Sequence, residues 1–172
     1  STRFNWLPYL IEDSYKSSQM IKYEARKFVQ ESYDTNDAYG KAILTAWLKT
    51  QDWVGKIIDI ENYGVDLEVL DSNGNLHLFE AEVKTSYPWK DKESFKFNTV
   101  SFLGRKEKWK ERGFYYALIC SETQAMCIAH SSRIFKEEFK EVLNIKTSHR
   151  NGLDCFYRVP KDLCNWIPAA NK

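Results

Sequence analysis

Apolar and polar positions change their spacing along the chain, and this change predicts helices first and strands afterwards. From Ser17 to Tyr33 the apolar residues roughly follow helical spacing, with charged residues between them. Residues 34–37 offer side chains that can cap a helix, so a second helix is predicted from Asp37 to Thr50. Its buried face is expected to contain Tyr39, Ile43, Leu44, Ala46, Trp47 and Leu48.

The next part of the chain has the pattern of a three-stranded meander. Trp53 to Ile60 is rich in β-branched residues, and Val65 to Leu70 alternates apolar and acidic positions. A turn at 71–75 leads to a third strand from Leu76 to Lys84. We therefore predict that the last two of these strands form a hairpin.

The rest of the chain predicts further helices and strands in alternation. Residues 85–100 are expected to form a loop, and Ser101 to Arg112 a helix with Phe102, Leu103 and Trp109 facing inward. The apolar run from Phe114 to Cys120 predicts a buried strand, with Ala125 to Ala129 as its hairpin partner. A helix from Ser131 to Leu143, a strand from Cys155 to Val159 and a tail are expected last.

Length and composition are those of one folded unit. The chain has 172 residues, 43% of them apolar, which suffices for a core and excludes disordered and collagen-like classes. The order of elements predicts a single α/β domain over residues 1–172, with a central mixed sheet of about five strands flanked by helices. It divides into an N-terminal arm and helix (1–36), a core (37–130), and a C-terminal helix and tail (131–172).

Several function classes lack their usual signals. No apolar run approaches the ~20 residues of a membrane span, and the N-terminus lacks a signal-peptide core, so we expect a cytoplasmic protein without membrane contact. There is no phosphate-binding glycine-rich loop, hence no nucleotide cofactor is expected. The cysteines are expected to be reduced core thiols, with a Cys120–Cys127 disulfide as the alternative.

The hairpin carries the candidate chemistry, because acidic residues alternate along both of its strands. Glu80, Glu82 and Lys84 share one face of the third strand. A two-residue turn would place Asp66 opposite Ala81, on the other face. A three-residue loop, residues 72–74, would place Asp66 opposite Glu80, and Gly74 suits the left-handed position of such a loop, so we favour it.

Carboxylates that gather on one face of a sheet have two interpretations. They are commonly a solvated surface with weak cross-strand pairs. They can also bind a divalent cation, and oxygen ligands without His or Cys favour Mg²⁺ or Mn²⁺ over zinc. A hard cation beside a lysine suits the hydrolysis of phosphodiesters.

These residues resemble the signature of the PD-(D/E)XK nuclease superfamily, which has a restriction-endonuclease-like core. The signature is an Asp on one strand followed by Glu/Asp-x-Lys on the next, here Asp66 and Glu82-Val83-Lys84. The resemblance covers about residues 39–129 and implies an αβββαβ core, here with an N-terminal helical extension. It also implies that Asp66, Glu82 and the Val83 carbonyl bind Mg²⁺, or Mn²⁺ as a substitute, and that Lys84 is catalytic.

The chain departs from this family at one position that bears on the metal. Many members carry a further Glu on the helix before the meander, and this helix has none at the expected place. Asp37, Glu24 or Glu31 could substitute for it, and Glu80, two residues before Glu82, is the alternative that we favour.

A basic segment follows the hairpin and is the candidate surface for nucleic acid. Although the formal net charge is only +1, residues 90–112 hold eight Lys and Arg against four acids. The expected phosphate contacts are Arg105, Lys106, Lys90 and Lys96. Trp89, Phe95 and Phe97 are candidates for stacking on bases, although core packing is the simpler explanation for each.

Three functions are compatible with the sequence. The first is a metal-dependent endonuclease associated with DNA, acting alone, as a homodimer or with a partner subunit. The second is a catalytically inactive nucleic-acid-binding or assembly subunit that keeps the nuclease fold. The third is an unrelated α/β interaction domain whose acidic hairpin is only solvated.

Overall fold

The computed structural model describes residues 35–59, 65–85, 87–146 and 151–170, and the predicted helix Ser17–Tyr33 lies outside them. The described chain is an α/β structure with few helices. Its helices and strands are α1 (Asn36–Lys49), β1 (Val54–Asp59), β2 (Leu67–Asp71), β3 (Leu76–Lys84), β4 (Thr99–Leu103), β5 (Tyr115–Cys120), β6 (Met126–His130), α2 (Ser131–Ile134), β7 (Lys140–Lys146), β8 (Asn151–Pro160) and β9 (Asn165–Ile167). The described residues also form 3₁₀ helices at Gly104–Arg112, Glu137–Phe139 and Lys161–Leu163.

Helix α1 confirms the helix predicted after residues 34–37. The side chain of Thr35 caps it by accepting a hydrogen bond from the amide of Ala38 at 3.1 Å. The predicted apolar face is largely buried and packs against the sheet through Tyr39, Ile43, Leu44, Trp47 and Leu48.

Six of the described strands form a mixed sheet in the order β1-β2-β3-β5-β6-β9. All neighbours are antiparallel except β3 and β5, which run parallel and pair from Phe79–Tyr115 to Lys84–Cys120. The meander β1-β2-β3 and the hairpin β5-β6 are confirmed. All six residues of β5 are buried, as the apolar run predicted.

The hairpin β2-β3 has the register that the three-residue loop requires. Leu67 lies opposite Phe79, and Glu68 lies opposite Leu78, so Asp66 is at the position opposite Glu80. Gly74 has a φ of 82°, the left-handed conformation expected of it. The prediction of a three-residue loop is therefore confirmed.

The two faces of the main sheet are covered differently. One face packs on α1, and Phe79, Ala81 and Val83 of β3 lie on this side. The other face packs on a second, antiparallel sheet of three strands in the order β4-β8-β7, which supplies Phe102 and Tyr157. The prediction that helices flank the sheet therefore holds for one face, whereas a sheet covers the other.

The predicted helix Ser101–Arg112 is wrong in its first part. Residues 99–103 form β4, in which Val100 and Phe102 are buried and pair with Val159 and Tyr157 of β8. This alternation of buried positions has the period of a strand. The remainder is a 3₁₀ helix, Gly104–Arg112, in which Trp109 is the one aromatic among charged residues.

The predicted helix Ser131–Leu143 is also wrong, because it ends after one turn. The imidazole of His130 caps α2, whereas the hydroxyl of Ser131 accepts a hydrogen bond from the amide of Phe114 at 3.0 Å. Residues 140–146 form β7 instead, which pairs over its whole length with residues 151–157 of β8. Pairing with β8, the next strand along the chain, overrides the local helical signal. The last predicted strand, Cys155–Val159, extends to Asn151–Pro160.

Two further expectations concern cysteines and membrane spans. All four cysteines are free thiols, and the residue opposite Cys127 on β5 is Leu118 rather than Cys120. Among the described residues, no helix has the length and apolar character needed to cross a membrane.

Gly104 provides a test of how closely the chain at the end of β4 approaches β8 within the second sheet. A Cβ atom at this position would lie 2.5 Å from the carbonyl oxygen of Cys155, which is backbone and cannot rotate away. We expect Gly104→Ala to lower the free energy of unfolding by about 2 kcal/mol or more, because β4 must separate from β8. Urea denaturation measures this, with Arg105→Ala at the exposed next position as the control. Equal stability of the two variants would contradict the close approach.

Candidate metal and phosphodiester site

Asp66 and Glu80 are held side by side by hydrogen bonds from backbone amides to their carboxylates. The amide of Asp66 donates to Oε2 of Glu80 at 3.2 Å, and the amide of Ala81 donates to Oδ2 of Asp66 at 2.8 Å. Glu80 is only 3% exposed, whereas Asp66 is half-buried. The hairpin register therefore produces a pair of neighbouring carboxyl groups at the start of β2.

Burial and mutual repulsion make this pair difficult to ionise. Burial, together with the charge of Asp66, raises the pKa of Glu80 to about 7, although Lys106 opposes the shift. Burial also raises the pKa of Asp66, against the Ala81 amide and the cations Lys41 and Lys106. A nearby positive charge would therefore stabilise the ionised pair.

Lys106 supplies one such charge from the 3₁₀ helix Gly104–Arg112. Its ammonium forms an ion pair with Oε1 of Glu80 and lies 5.0 Å from the ring centre of Trp109. Its side chain is 19% exposed. The sequence predicts Lys106 as a phosphate contact, and the structure places it against a buried carboxylate.

Glu82 and Lys84 extend the same face of β3 toward the end of the strand. Oε2 of Glu82 accepts a hydrogen bond from the hydroxyl of Tyr116 at 2.9 Å and lies 3.4 Å from Nζ of Lys84. Burial and the charge of Glu82 raise the pKa of Tyr116 well above its usual value, so this hydroxyl stays protonated and donates. Tyr116 thus orients Glu82.

Sequence reasoning missed Tyr116 because it lies inside an apolar run. A tyrosine in the middle of a buried strand needs a partner for its hydroxyl, and that requirement was the available signal. The parallel pairing of β3 and β5, which brings Tyr116 beside Glu80 in register, could not be read from local pattern.

The carbonyl of Val83 points to the side of β3 where Asp66 lies. The carbonyl of Lys84 accepts a hydrogen bond from the amide of Ser121 and therefore points toward β5. The amide of Ala81 points the other way, toward Asp66. The backbone groups of successive residues in a strand point to alternate sides. The carbonyl of Val83 therefore points to the same side as the amide of Ala81, two residues earlier. Among the described residues, β2 pairs with β3 only as far as Phe79, so no strand covers this carbonyl.

The oxygen atoms on this face are of the kind that binds a hard divalent cation. Within the described ranges, Oδ1 of Asp66 and Oε1 of Glu82 accept no hydrogen bond, and Glu82 lies diagonal to Asp66, a separation that long side chains span. With the Val83 carbonyl they make an oxygen-only set of the type that Mg²⁺ prefers.

Among the described residues, no third carboxylate joins Asp66 and Glu82 as a ligand. Both oxygens of Glu80 are engaged, one by Lys106 and one by the Asp66 amide. The charge of Asp37 acts on Asp66, yet no group of three or more His, Cys, Asp or Glu in the described chain is arranged to hold a metal. Glu24 and Glu31 lie outside the described residues.

The other predicted phosphate contacts lie on the surface. Arg105, Lys90 and Lys96 are exposed, and Nζ of Lys96 lies 4.6 Å from the ring centre of Tyr87. Of the three aromatic candidates, Trp89 is buried in the core and Phe95 is half-buried. Phe97 is 52% exposed and remains a candidate for contact with a base.

The raised pKa of Glu80 predicts how stability depends on pH. Because the pKa is about 7 in the folded protein against 4.5 as the ordinary value, this group's contribution to stability is complete below about pH 4.5 and is lost as the pH rises through 7. The free energy of unfolding of the parent should therefore fall between pH 5 and pH 8. In Glu80→Gln we expect this fall to be smaller by about 1–3 kcal/mol, because the titrating group is gone. Urea denaturation at both pH values measures it.

Glu122→Gln, at an exposed position, is the matched control and should follow the parent. A Glu80→Gln variant whose stability falls with pH as steeply as that of the parent would show that this carboxyl ionises normally.

Comparison of the chain with protein-family models gives no match, and comparison with curated proteins gives none either. The functional conclusion therefore depends on the residues of this site.

Proposed function

We propose that the protein is a divalent-metal-dependent nuclease, a DNA endonuclease that hydrolyses phosphodiester bonds with Mg²⁺, or with Mn²⁺ as a substitute. The observation that carries the proposal is the register of the β2-β3 hairpin, which puts Asp66 opposite Glu80 and diagonal to Glu82. Lys84 lies 3.4 Å from Glu82, and the Val83 carbonyl, which no strand of the described residues covers, points to the side of β3 where Asp66 lies.

The electrostatics of the pair Asp66–Glu80 supports the same proposal. Two neighbouring carboxyl groups with raised pKa values are expected where a bound cation stabilises the charged form. In this proposal Glu80 does not bind the metal. Its ion pair with Lys106 fixes the 3₁₀ helix next to the site. Asp66, Glu82 and the Val83 carbonyl are the proposed ligands.

Each residue of the site has a role that follows from its contacts. A bound Mg²⁺ would supply a water of lowered pKa and would offset the charge of the transition state. Tyr116 holds Glu82 in one orientation by its hydrogen bond. The ammonium of Lys84, 31% exposed, can hold the attacking water or stabilise the developing oxyanion. Arg105, Lys90 and Lys96 are proposed to contact phosphates.

The arrangement of strands supports a restriction-endonuclease-like core. Helix α1, the meander β1-β2-β3 and the parallel pairing of β3 with β5 follow the order expected of it. One departure lies in the connection from β3 to β5, where β4 and the 3₁₀ helix Gly104–Arg112 stand in place of a helix. This connection nonetheless brings Lys106 to the site.

Substitution of the proposed ligands and lysine tests the function. We expect Asp66→Asn and Lys84→Ala to lower Mg²⁺-dependent DNA cleavage about 100-fold or more, because Asp66 would hold the metal and Lys84 would act on the attacking water or the oxyanion. The measurement is cleavage of labelled single-stranded, duplex, flap and junction DNA with Mg²⁺ or Mn²⁺.

Glu68→Gln and Lys56→Ala are matched controls, since Glu68 lies on β2 beside Asp66 and Lys56 is exposed on β1. Both should cut as the parent does. If Asp66→Asn and Lys84→Ala also cut at the parent's rate, the proposed site is wrong.

A second candidate is a non-catalytic nucleic-acid-binding subunit that keeps this fold. It is favoured by one observation, that the described residues contain no group of three carboxylates arranged for a metal. DNA binding that Lys84→Ala leaves unchanged, without metal-dependent cleavage of any substrate in the panel, would identify this function instead.

A further inference from the structure

A pocket of about 290 Å³ opens beside Lys84, on the face of the sheet that carries the candidate site. Its inner end is formed by buried residues, among them Leu118 and Cys127, and its rim by the exposed Phe97 and Arg158. A cavity of this size lies at the small end of ligand sites in proteins. It can hold one ring system of nucleobase size and is too small for a duplex.

The lining of the pocket is mainly aromatic. Tyr87, Phe95 and Phe97 contact one another with ring centres 5.7–6.1 Å apart, and Trp89 packs edge-on against Phe95. Aromatic walls of this kind bind nucleobases by stacking, whatever the base. Phe97 is 52% exposed, so much of its ring is available to such a partner.

Positive charge and hydroxyl groups accompany these rings. Nζ of Lys96 lies 4.6 Å from the ring centre of Tyr87 and 5.1 Å from that of Phe97. Lys84 and Arg158 line the pocket, although Arg158 also forms an ion pair with Glu141. Thr99 and Ser101 add hydroxyl groups that can bind the edge of a base. The aromatic rings and hydroxyls suit a nucleobase, and the cations suit its phosphate.

We propose that this pocket binds one unpaired nucleobase of the DNA, next to the phosphodiester held at Lys84. A base inside a duplex cannot enter a pocket of this kind, so the base must come from a single strand or be extruded from the helix. The substrate class is therefore DNA with unpaired nucleotides beside the cleaved bond. This assignment of substrate rests on the proposed nuclease function.

Binding of two strands that differ only in their bases tests the pocket. The probes are a labelled oligothymidine and a strand of equal length and charge built from abasic sites, measured by fluorescence anisotropy with Ca²⁺ in place of Mg²⁺. We expect the parent to bind oligothymidine about tenfold more tightly than the abasic strand, the effect of one stacked base. Phe97→Ala should lose this preference, and Phe97→Trp should keep it.

Leu153→Ala is the control, because Leu153 is 74% exposed on β8 and does not line the pocket. Because Phe97 is exposed, its substitution should leave the thermal unfolding midpoint unchanged, which circular dichroism verifies. Equal affinity for the two strands, no binding of either, or an undiminished preference in Phe97→Ala would each overturn the proposal.

Cleavage of the same strands with Mg²⁺ separates this inference from the proposed function. Preference for the strand with bases, without cleavage of any DNA, would refute the nuclease and support the pocket as a nucleobase site. Cleavage with no preference for bases would refute the pocket and leave the nuclease standing.

Discussion

The register of one β-hairpin determines what this face of the sheet can do. Asp71 fixes the loop between β2 and β3, since its carboxylate accepts hydrogen bonds from the amides of Asn73 and Asn75 and lies 3.0 Å from the imidazole of His77. These contacts lower the pKa of Asp71 despite its burial. A slip of one residue would turn every side chain of one strand to the opposite face. Asp66 and Glu80 would then no longer meet.

The hairpin also concentrates charge that the surrounding layers must accommodate. Lys106 reaches the buried Glu80 from the 3₁₀ helix, and Tyr116 reaches the half-buried Glu82 from β5, so each acid is held by a different element. Breaking a buried ion pair on one side leaves an uncompensated charge, which is strongly unfavourable. The packing of the second sheet on the first and the electrostatics of the site are therefore coupled through the same residues.

Local pattern predicted the parts of the fold that depend on neighbours in sequence. Helix α1, the β2-β3 register and the β5-β6 hairpin follow from capping, alternation and the glycine at 74. Strand β4 was predicted as part of a helix because its partner β8 is distant in sequence, so that only tertiary pairing reveals it. Strand β7 directly precedes β8 along the chain, and it was missed because Ser131 was interpreted as the cap of a long helix. For the site, the carboxylates and Lys84 could be read from spacing, whereas the contacts of Tyr116 and Lys106 depend on the same long-range packing.

The central claim is that Asp66, Glu82 and the Val83 carbonyl form one site for a hard cation. The most direct measurement is paramagnetic broadening of backbone amide signals by substoichiometric Mn²⁺ in a ¹⁵N-labelled sample. The account predicts selective loss of the signals of residues 66 and 81–84, abolished in Asp66→Asn. Broadening that is uniform, or centred on other acidic residues such as Glu137 and Glu138, would contradict it.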